Sequence, residues 1–318
     1  MVLEGDAIDH RRFAELPLLL GSSDVLVLNE TRVIAARLIG RRAHTGGRVE
    51  LLLLHPAGSL HYDAAALRWL VIAQPARRLR TGERVEFGAY GEAAICNELE
   101  GGLREIELQL AVSFETFLAR AGRMPLPPYI HNDSNDAQRR YQTVFARVPG
   151  SVAAPTASLH FTPALLDAIE ARGTQILRLA LNVGLGTFRP VTVGSIESHV
   201  MDAEAYAIEP SVAGELERAR REGRRIVAAG TTIVRALEGN FQSYGRIEPG
   251  KHETGLFITP GFRFDVVGAM ITNFHLPRST LLMLVSAFGG FERIRRAYAE
   301  AIAQRYRFYS FGDAMFVA

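Results

Sequence analysis

A single cysteine, Cys96, and a single lysine, Lys251, stand in a chain of 318 residues. One thiol excludes an intrachain disulfide and any multi-cysteine metal centre. It also excludes zinc-dependent base deamination, which draws on more than one thiolate ligand. No run approaches the roughly 20 apolar residues that a membrane helix needs. The opening MVLEGDAIDHRRF lacks the basic-then-apolar order of a signal peptide. A cytoplasmic protein with no membrane partner is therefore expected. Net charge is only +2, so no strong field of one sign surrounds the chain. Arginine supplies almost every cation, and two local clusters stand out. These are Arg77, Arg78 and Arg80 in PARRLRTGER, and Arg220, Arg221, Arg224 and Arg225 in RARREGRR. Such clusters can hold phosphate, although a solvated face is the commoner outcome.

What is present is a foldable chain. Hydrophobic residues make up 48% and charged residues 22%, the balance of a packed protein, and the length suits roughly two domains. Asp24–Leu28, DVLVL, reads as a buried strand after a short helical stretch, Arg12–Leu20. From Ala36 to about Leu110, short apolar runs alternate with turn residues such as Gly46-Gly47, Thr81-Gly82 and Gly101-Gly102. Roughly six strands at that spacing predict a small antiparallel barrel. Beyond Phe114 helices and strands alternate. PALLDAIEARG, SVAGELERARREG, STLLMLVSAFGG and ERIRRAYAEAIAQRY read as helices, QILRLALNVG and RRIVAAG as strands. The expected fold is α/β, with residues 1–34 and 112–318 forming the larger α/β domain and residues 35–111 an inserted barrel.

Several segments ask for a chemical explanation. SVAAPTASLHF packs small residues around Pro155 and Thr156, then delivers His160 just before a helix, where backbone amides can approach an anion. NVGLGTF places Gly184 and Gly186 after a strand. No third glycine follows and Pro190 intervenes, so dinucleotide binding of the usual kind is not indicated, while a loop cradling a nucleoside remains open. GTTIVRALEG sets Thr231 and Thr232 at a strand-to-helix junction, suited to capping or to holding a carboxylate or phosphate. ITNFHLPRST puts Asn273 and His275 in an apolar run, where both need partners if buried. His199, Glu204 and Asp313 are further polar groups among apolar neighbours. Each, taken singly, is more often structural than catalytic.

Taken together and in order, VLNETRVIAARL, GRMPLPPYI, RYQTVFA, GSVAAPTASLHFT, VGLGTFRPV, AAGTTIVRALE, ITNFHLPRSTLLMLVSAFGG and YRFYSFGDAM closely resemble the S-adenosylmethionine:tRNA ribosyltransferase-isomerase family, from about Ile8 to the C-terminus. The resemblance implies an α/β domain with an inserted barrel. It also implies ribosyl transfer from S-adenosylmethionine to 7-aminomethyl-7-deazaguanine at the wobble position of tRNA, giving epoxyqueuosine. S-adenosylmethionine would be co-substrate rather than cofactor, no metal is implied, and a monomer is expected.

Such chemistry needs a base near the carbon beside the sulfonium, a donor for departing adenine and exclusion of water. His160, His199, His275 and Asp313 are the expected catalytic residues. Thr156, Gly184, Gly186, Glu204, Thr231, Thr232 and Asn273 are expected to bind substrate, with Glu204 or Asp313 orienting a ribose. Arg32, Arg37, Tyr129, Arg140 and Tyr141 are expected RNA contacts, with burial of a tyrosine beneath the proline loop as the competing role.

Members of that family commonly begin some tens of residues earlier, so Met1–Glu4 is read as the tail of a strand, and loss of earlier chain would leave a sheet edge unpaired. Asn182 stands where a histidine is common, and Ile233 and Gly239 where serines are. A non-catalytic tRNA-binding relative is one alternative. A methyltransferase is another, disfavoured because no glycine-rich loop follows DVLVL.

Overall fold

The computed structural model describes residues 1–127, 130, 134–184, 199 and 201–318. Two compact units emerge: Met1–Thr31, Thr143–Arg147 and Pro155–Ala318 form the first, Arg32–Gln142 and Val148–Ala154 the second. In chain order, β1 (Val2–Glu4) and β2 (Ala7–Asp9) make a hairpin, followed by a 3₁₀ turn at Phe13–Leu18, β3 (Asp24–Asn29) and β4 (Thr31–Val33). Next come β5 (Arg37–Arg42), β6 (Arg48–Pro56), β7 (Arg68–Gln74), β8 (Arg84–Glu86), β9 (Gly91–Glu98) and β10 (Leu103–Leu110). Helix α1 (Phe114–Ala121), β11 (Gly122–Arg123), α2 (Asn135–Arg140) and β12 (Val148–Ser151) follow. The remainder runs α3 (Pro163–Ala171), β13 (Gln175–Leu181), β14 (Glu204–Ile208), α4 (Pro210–Arg221), β15 (Arg225–Ala229), α5 (Thr231–Tyr244) and β16 (Gly250–Thr254). It closes with β17 (Ala269–Asn273), α6 (Thr280–Gly289), α7 (Phe291–Ala303) and β18 (Ala314–Val317).

The first unit is built on a nine-stranded sheet, β16-β14-β13-β3-β15-β17-β18-β1-β2. Its centre, β13-β3-β15-β17, is parallel. Parallel strands are covered on both faces and so read as unbroken apolar runs, which explains DVLVL. Successive side chains point to opposite faces. Leu26 and Leu28 pack into one core with Leu165, Leu166 and Ile169 of α3 and with Val227 and Ile271, while α5 contacts β3, β13, β15 and β17. At the head of β3, the Asp24 carboxylate accepts two bonds from Arg225 of β15, at 2.8 and 3.0 Å. The reading of Met1–Glu4 as strand agrees with β1, which pairs in parallel with β18 and carries β2 on its other side. No helix among the described residues is long and apolar enough to cross a membrane.

The second unit is a closed antiparallel barrel of six strands, β5-β6-β7-β10-β9-β8, completed by pairing of β5 with β8. Alternation fills it: Val49, Leu51 and Leu53 of β6, Trp69 and Val71 of β7 and Ile106 and Leu108 of β10 are buried, with less buried residues between them. Gly40 permits closure, because a Cβ there would lie 2.8 Å from the Glu86 carbonyl oxygen.

The boundaries differ from residues 35–111. β11 pairs with β5 (Gly122 opposite Leu38), and the barrel unit runs on to Gln142 and takes in Val148–Ala154. A two-residue strand has no periodicity for a sequence to display.

Candidate active site

The parallel strands end at Leu181, Asn29, Ala229 and Asn273, and strand order turns back at β3, with β13 on one side and β15 on the other. Ligands of open parallel sheets bind beyond the carboxyl ends at such a turn. The buried Asn29 prolongs the ladder with its side chain, donating to Leu181 O (2.9 Å) and accepting from Leu181 N (3.1 Å). This opens the chain into Asn182–Gly184, where the Cβ direction of Gly184 meets no atom of the described residues within 4 Å. At the end of β15, Gly230 adopts φ +118° and is the N-cap of α5; neither threonine caps the helix. Thr231 and Thr232 are buried in its first turn, whose amides and dipole favour a negative group.

The turn Thr156–His160 packs against β17, and Asn273 reaches across to it. Asn273 Nδ2 lies 3.2 Å from His160 Nε2 and donates to Tyr309 O, also at 3.2 Å. Both amide hydrogens are thereby used. Nε2 is the acceptor, and the neutral ring carries its proton on Nδ1. Phe13 stacks on the imidazole at 4.8 Å. Burial lowers the His160 pKa, and the Asp313 carboxylate opposes that shift. Asp313 in turn accepts from Arg307 Nη2 (2.7 Å) and Arg307 N (2.8 Å). Burial would raise its pKa, but the bonds and charge of Arg307 hold the carboxyl below its usual range. His160 and Asp313 share a cavity of about 460 Å³ with Phe13, Ile271, Tyr306 and Arg307.

Two residues past Asn273, His275 places Nε2 2.8 Å from Thr272 Oγ1, and its backbone N–H donates to the Tyr298 hydroxyl at 2.9 Å. Desolvation pushes the imidazole down to about 4, so it is neutral at pH 7. Burial likewise raises the Tyr298 phenol to about 12. Among the described residues, the buried Ser158 Oγ, Asn273 Oδ1 and Thr280 Oγ1 have no hydrogen-bond partner. Each such atom costs about 1–3 kcal/mol if nothing satisfies it.

Of the expected site residues, His160, Asn273 and Asp313 are brought together, with His275 close in sequence. Thr156 opens the turn that carries His160, while Gly184, Thr231 and Thr232 lie at the sheet's carboxyl end. Others are placed differently. Glu204 is 3% exposed and committed to Arg235 Nη1 at 2.7 Å, which removes it from ribose binding. Tyr141 is fully buried, so stacking on a base is sterically closed to it. Arg37 donates to Leu126 O and pairs with Glu50, whereas Arg32 and Arg140 are exposed. The His199 ring packs on Phe257 at 5.1 Å. Tyr129 and Gly186 lie outside the described residues.

The RARREGRR cluster is consumed internally. Arg225 holds Asp24, Arg224 holds Gln175, Arg221 bonds Glu217 O, and Arg220 pairs with Glu217 while lying 3.8 Å over the Phe241 ring. Sequence reasoning missed Phe13, Ser158, Tyr298 and Arg307. Only Arg307 had a visible signal, its place six residues before Asp313 in YRFYSFGD.

A parallel-sheet crevice furnished with two partly buried histidines, in a chain whose second unit is a closed barrel, defines an α/β enzyme of two units. The chain belongs to the family described as "Queuosine biosynthesis protein", whose model matches residues 1–317. It is a transferase of that family. It is 50% identical over 312 residues to the S-adenosylmethionine:tRNA ribosyltransferase-isomerase of Symbiobacterium thermophilum, spanning 98% of this chain and 89% of that protein. The enzyme of the same name from Moorella thermoacetica is 49% identical over 318 residues, spanning 99% and 90%. The crystal structure of S-adenosylmethionine tRNA ribosyltransferase from Thermotoga maritima is similar at 32% identity and TM-score 0.52, covering 100% of this chain and 91% of that one.

Proposed function

We propose that this chain moves the ribosyl part of S-adenosylmethionine to 7-aminomethyl-7-deazaguanine at the wobble position of tRNA and isomerises it to epoxyqueuosine, releasing adenine and methionine. The relatives' names support the reaction class. The arrangement of His160, Asn273 and Asp313 carries the assignment of residues.

His160 presents Nδ1–H and, with the charge of Asp313 near it, is the donor that assists adenine departure. His275 is the base. Thr272 directs its hydroxyl proton toward Asn273 O (3.4 Å), so the imidazole donates through Nε2 and keeps a free lone pair on Nδ1 for the acidic carbon beside the sulfonium. Its lowered pKa keeps that lone pair available across the physiological range. The buried threonines and amides at the start of α5 suit the methionine carboxylate. The wobble base is splayed out of its loop to reach the crevice, with exposed Arg32 and Arg140 on phosphates. S-adenosylmethionine is consumed as co-substrate, with no separate cofactor, and the protein acts as a cytoplasmic monomer.

Incubation with S-adenosylmethionine and tRNA carrying the deazaguanine precursor tests this. Stoichiometric adenine and methionine are expected. S-adenosylhomocysteine, or retention of tRNA without turnover, would overturn the reading.

A further inference from the structure

The barrel carries the second arginine cluster, and its arginines meet a different fate from those on α4. Arg77, Arg78 and Arg80 are exposed, and their guanidiniums make no ion pair or hydrogen bond among the described residues. Between them, Leu79 is fully buried and anchors the turn in the barrel. Beneath it lies Arg104 of β10, 6% exposed. Its guanidinium donates to Leu79 O and Ala76 O, each at 2.7 Å, and to Leu103 O at 2.7 Å. The nearby Glu98 carboxylate lies 3.6 Å from Arg104 and accepts from Thr81 N, so it faces the buried cation and the backbone. Glu83, three residues beyond Arg80, is taken by Arg42 at 2.8 Å.

One buried arginine thus fixes the carbonyls of a turn that holds three free guanidiniums outward. A merely solvated face needs no such brace. A rigid turn lowers the ordering cost of binding, and guanidinium forks match phosphate oxygens.

We propose that residues 76–80 of the barrel form a binding surface for consecutive backbone phosphates of tRNA, sequence-independent and organised by Arg104 as a positioning residue. This rests on the tRNA reading above. It assigns the barrel the task of gripping the RNA backbone, separate from base recognition. Arginines neutralising phosphates release counterions, so affinity falls with salt by roughly 0.7–0.9 log units per contact for each log unit of salt.

The test measures precursor-tRNA binding by the full chain across a salt series. R77A/R78A/R80A should raise Kd at least tenfold and reduce the slope of log Kd against log salt by about 2. KM for tRNA should rise, with kcat changing less than twofold. R77K/R78K/R80K should keep most of the affinity. As a matched control, R41A/R68A/R84A removes three exposed barrel arginines that already hold partners within the chain. An unchanged Kd and slope in the first variant, or an equal loss in the control, overturns the proposal. A wild-type chain that binds no tRNA would instead overturn the tRNA reading and this inference together.

Discussion

One amide of Asn273 decides which nitrogen of His160 carries the proton, since Nδ2 lies 3.2 Å from His160 Nε2 while also donating to Tyr309 O. In Asn273→Asp a carboxylate replaces the donor, so Nε2 becomes protonated and the imidazolium is stabilised. The His160 pKa, lowered by burial in the wild type, should then rise. An NMR titration of the His160 ring in the variant is expected to show its pKa raised by about one unit or more over wild type. An unchanged titration would remove Asn273 as the group that sets the His160 proton.

His275→Ala should cut turnover at least tenfold with the far-UV spectrum intact; unchanged turnover would take it off the catalytic list. The same residue predicts acid lability. Its folded pKa of about 4 lies below the roughly 6.5 of an unfolded histidine, so the unfolded chain takes up the proton first as pH falls. Its contribution is intact above about pH 6.5 and is lost between there and about pH 4, by about 2–3 kcal/mol. Urea unfolding at neutral and acid pH should show a smaller loss for His275→Gln than for wild type.

Arg235 and Glu204 form an ion pair with both side chains only 2% exposed. Removing one partner strands the other charge, and Glu204→Ala is expected to cost about 3–5 kcal/mol. Arg235→Met with Glu204→Leu should recover most of that. A double-mutant cycle by chemical denaturation checks it, and a mild single-variant effect would contradict the burial.

Gly312 closes the loop that presents Asp313. A methyl group there would run into the carbonyl oxygens of Arg307 and Phe308. Gly312→Ala should therefore displace Asp313 from Arg307, costing about 1–3 kcal/mol and lowering turnover more than tenfold. Turnover at the wild-type level would show that the Asp313 position is dispensable.

Periodicity made the elements legible. DVLVL became β3, QILRLAL became β13, and the turn-punctuated run after Ala36 became the closed barrel. What the sequence hid were partnerships between distant residues. Glu204 looked free for a ribose because Arg235 is 31 positions away. RARREGRR read as a solvated or phosphate-holding cluster because Asp24, 201 positions before Arg225, gives no local sign of the pairing. The need for glycine at position 239 is equally invisible in the chain, since a Cβ there would lie 2.5 Å from Thr254 Oγ1. His160 and Asn273 were each recognisable as polar groups in apolar settings, yet 113 residues separate them and only the fold shows the hydrogen bond.

β18 lies between β17 and β1 in the nine-stranded sheet, with Val2 opposite Phe316. The β1–β2 hairpin therefore gains that neighbour only through a pairing that spans nearly the whole chain, from Val2 to Phe316, a contact of high loop-closure cost. A polypeptide clipped before Ala314 would leave the facing edges of β17 and β1 unpaired, a template for self-association.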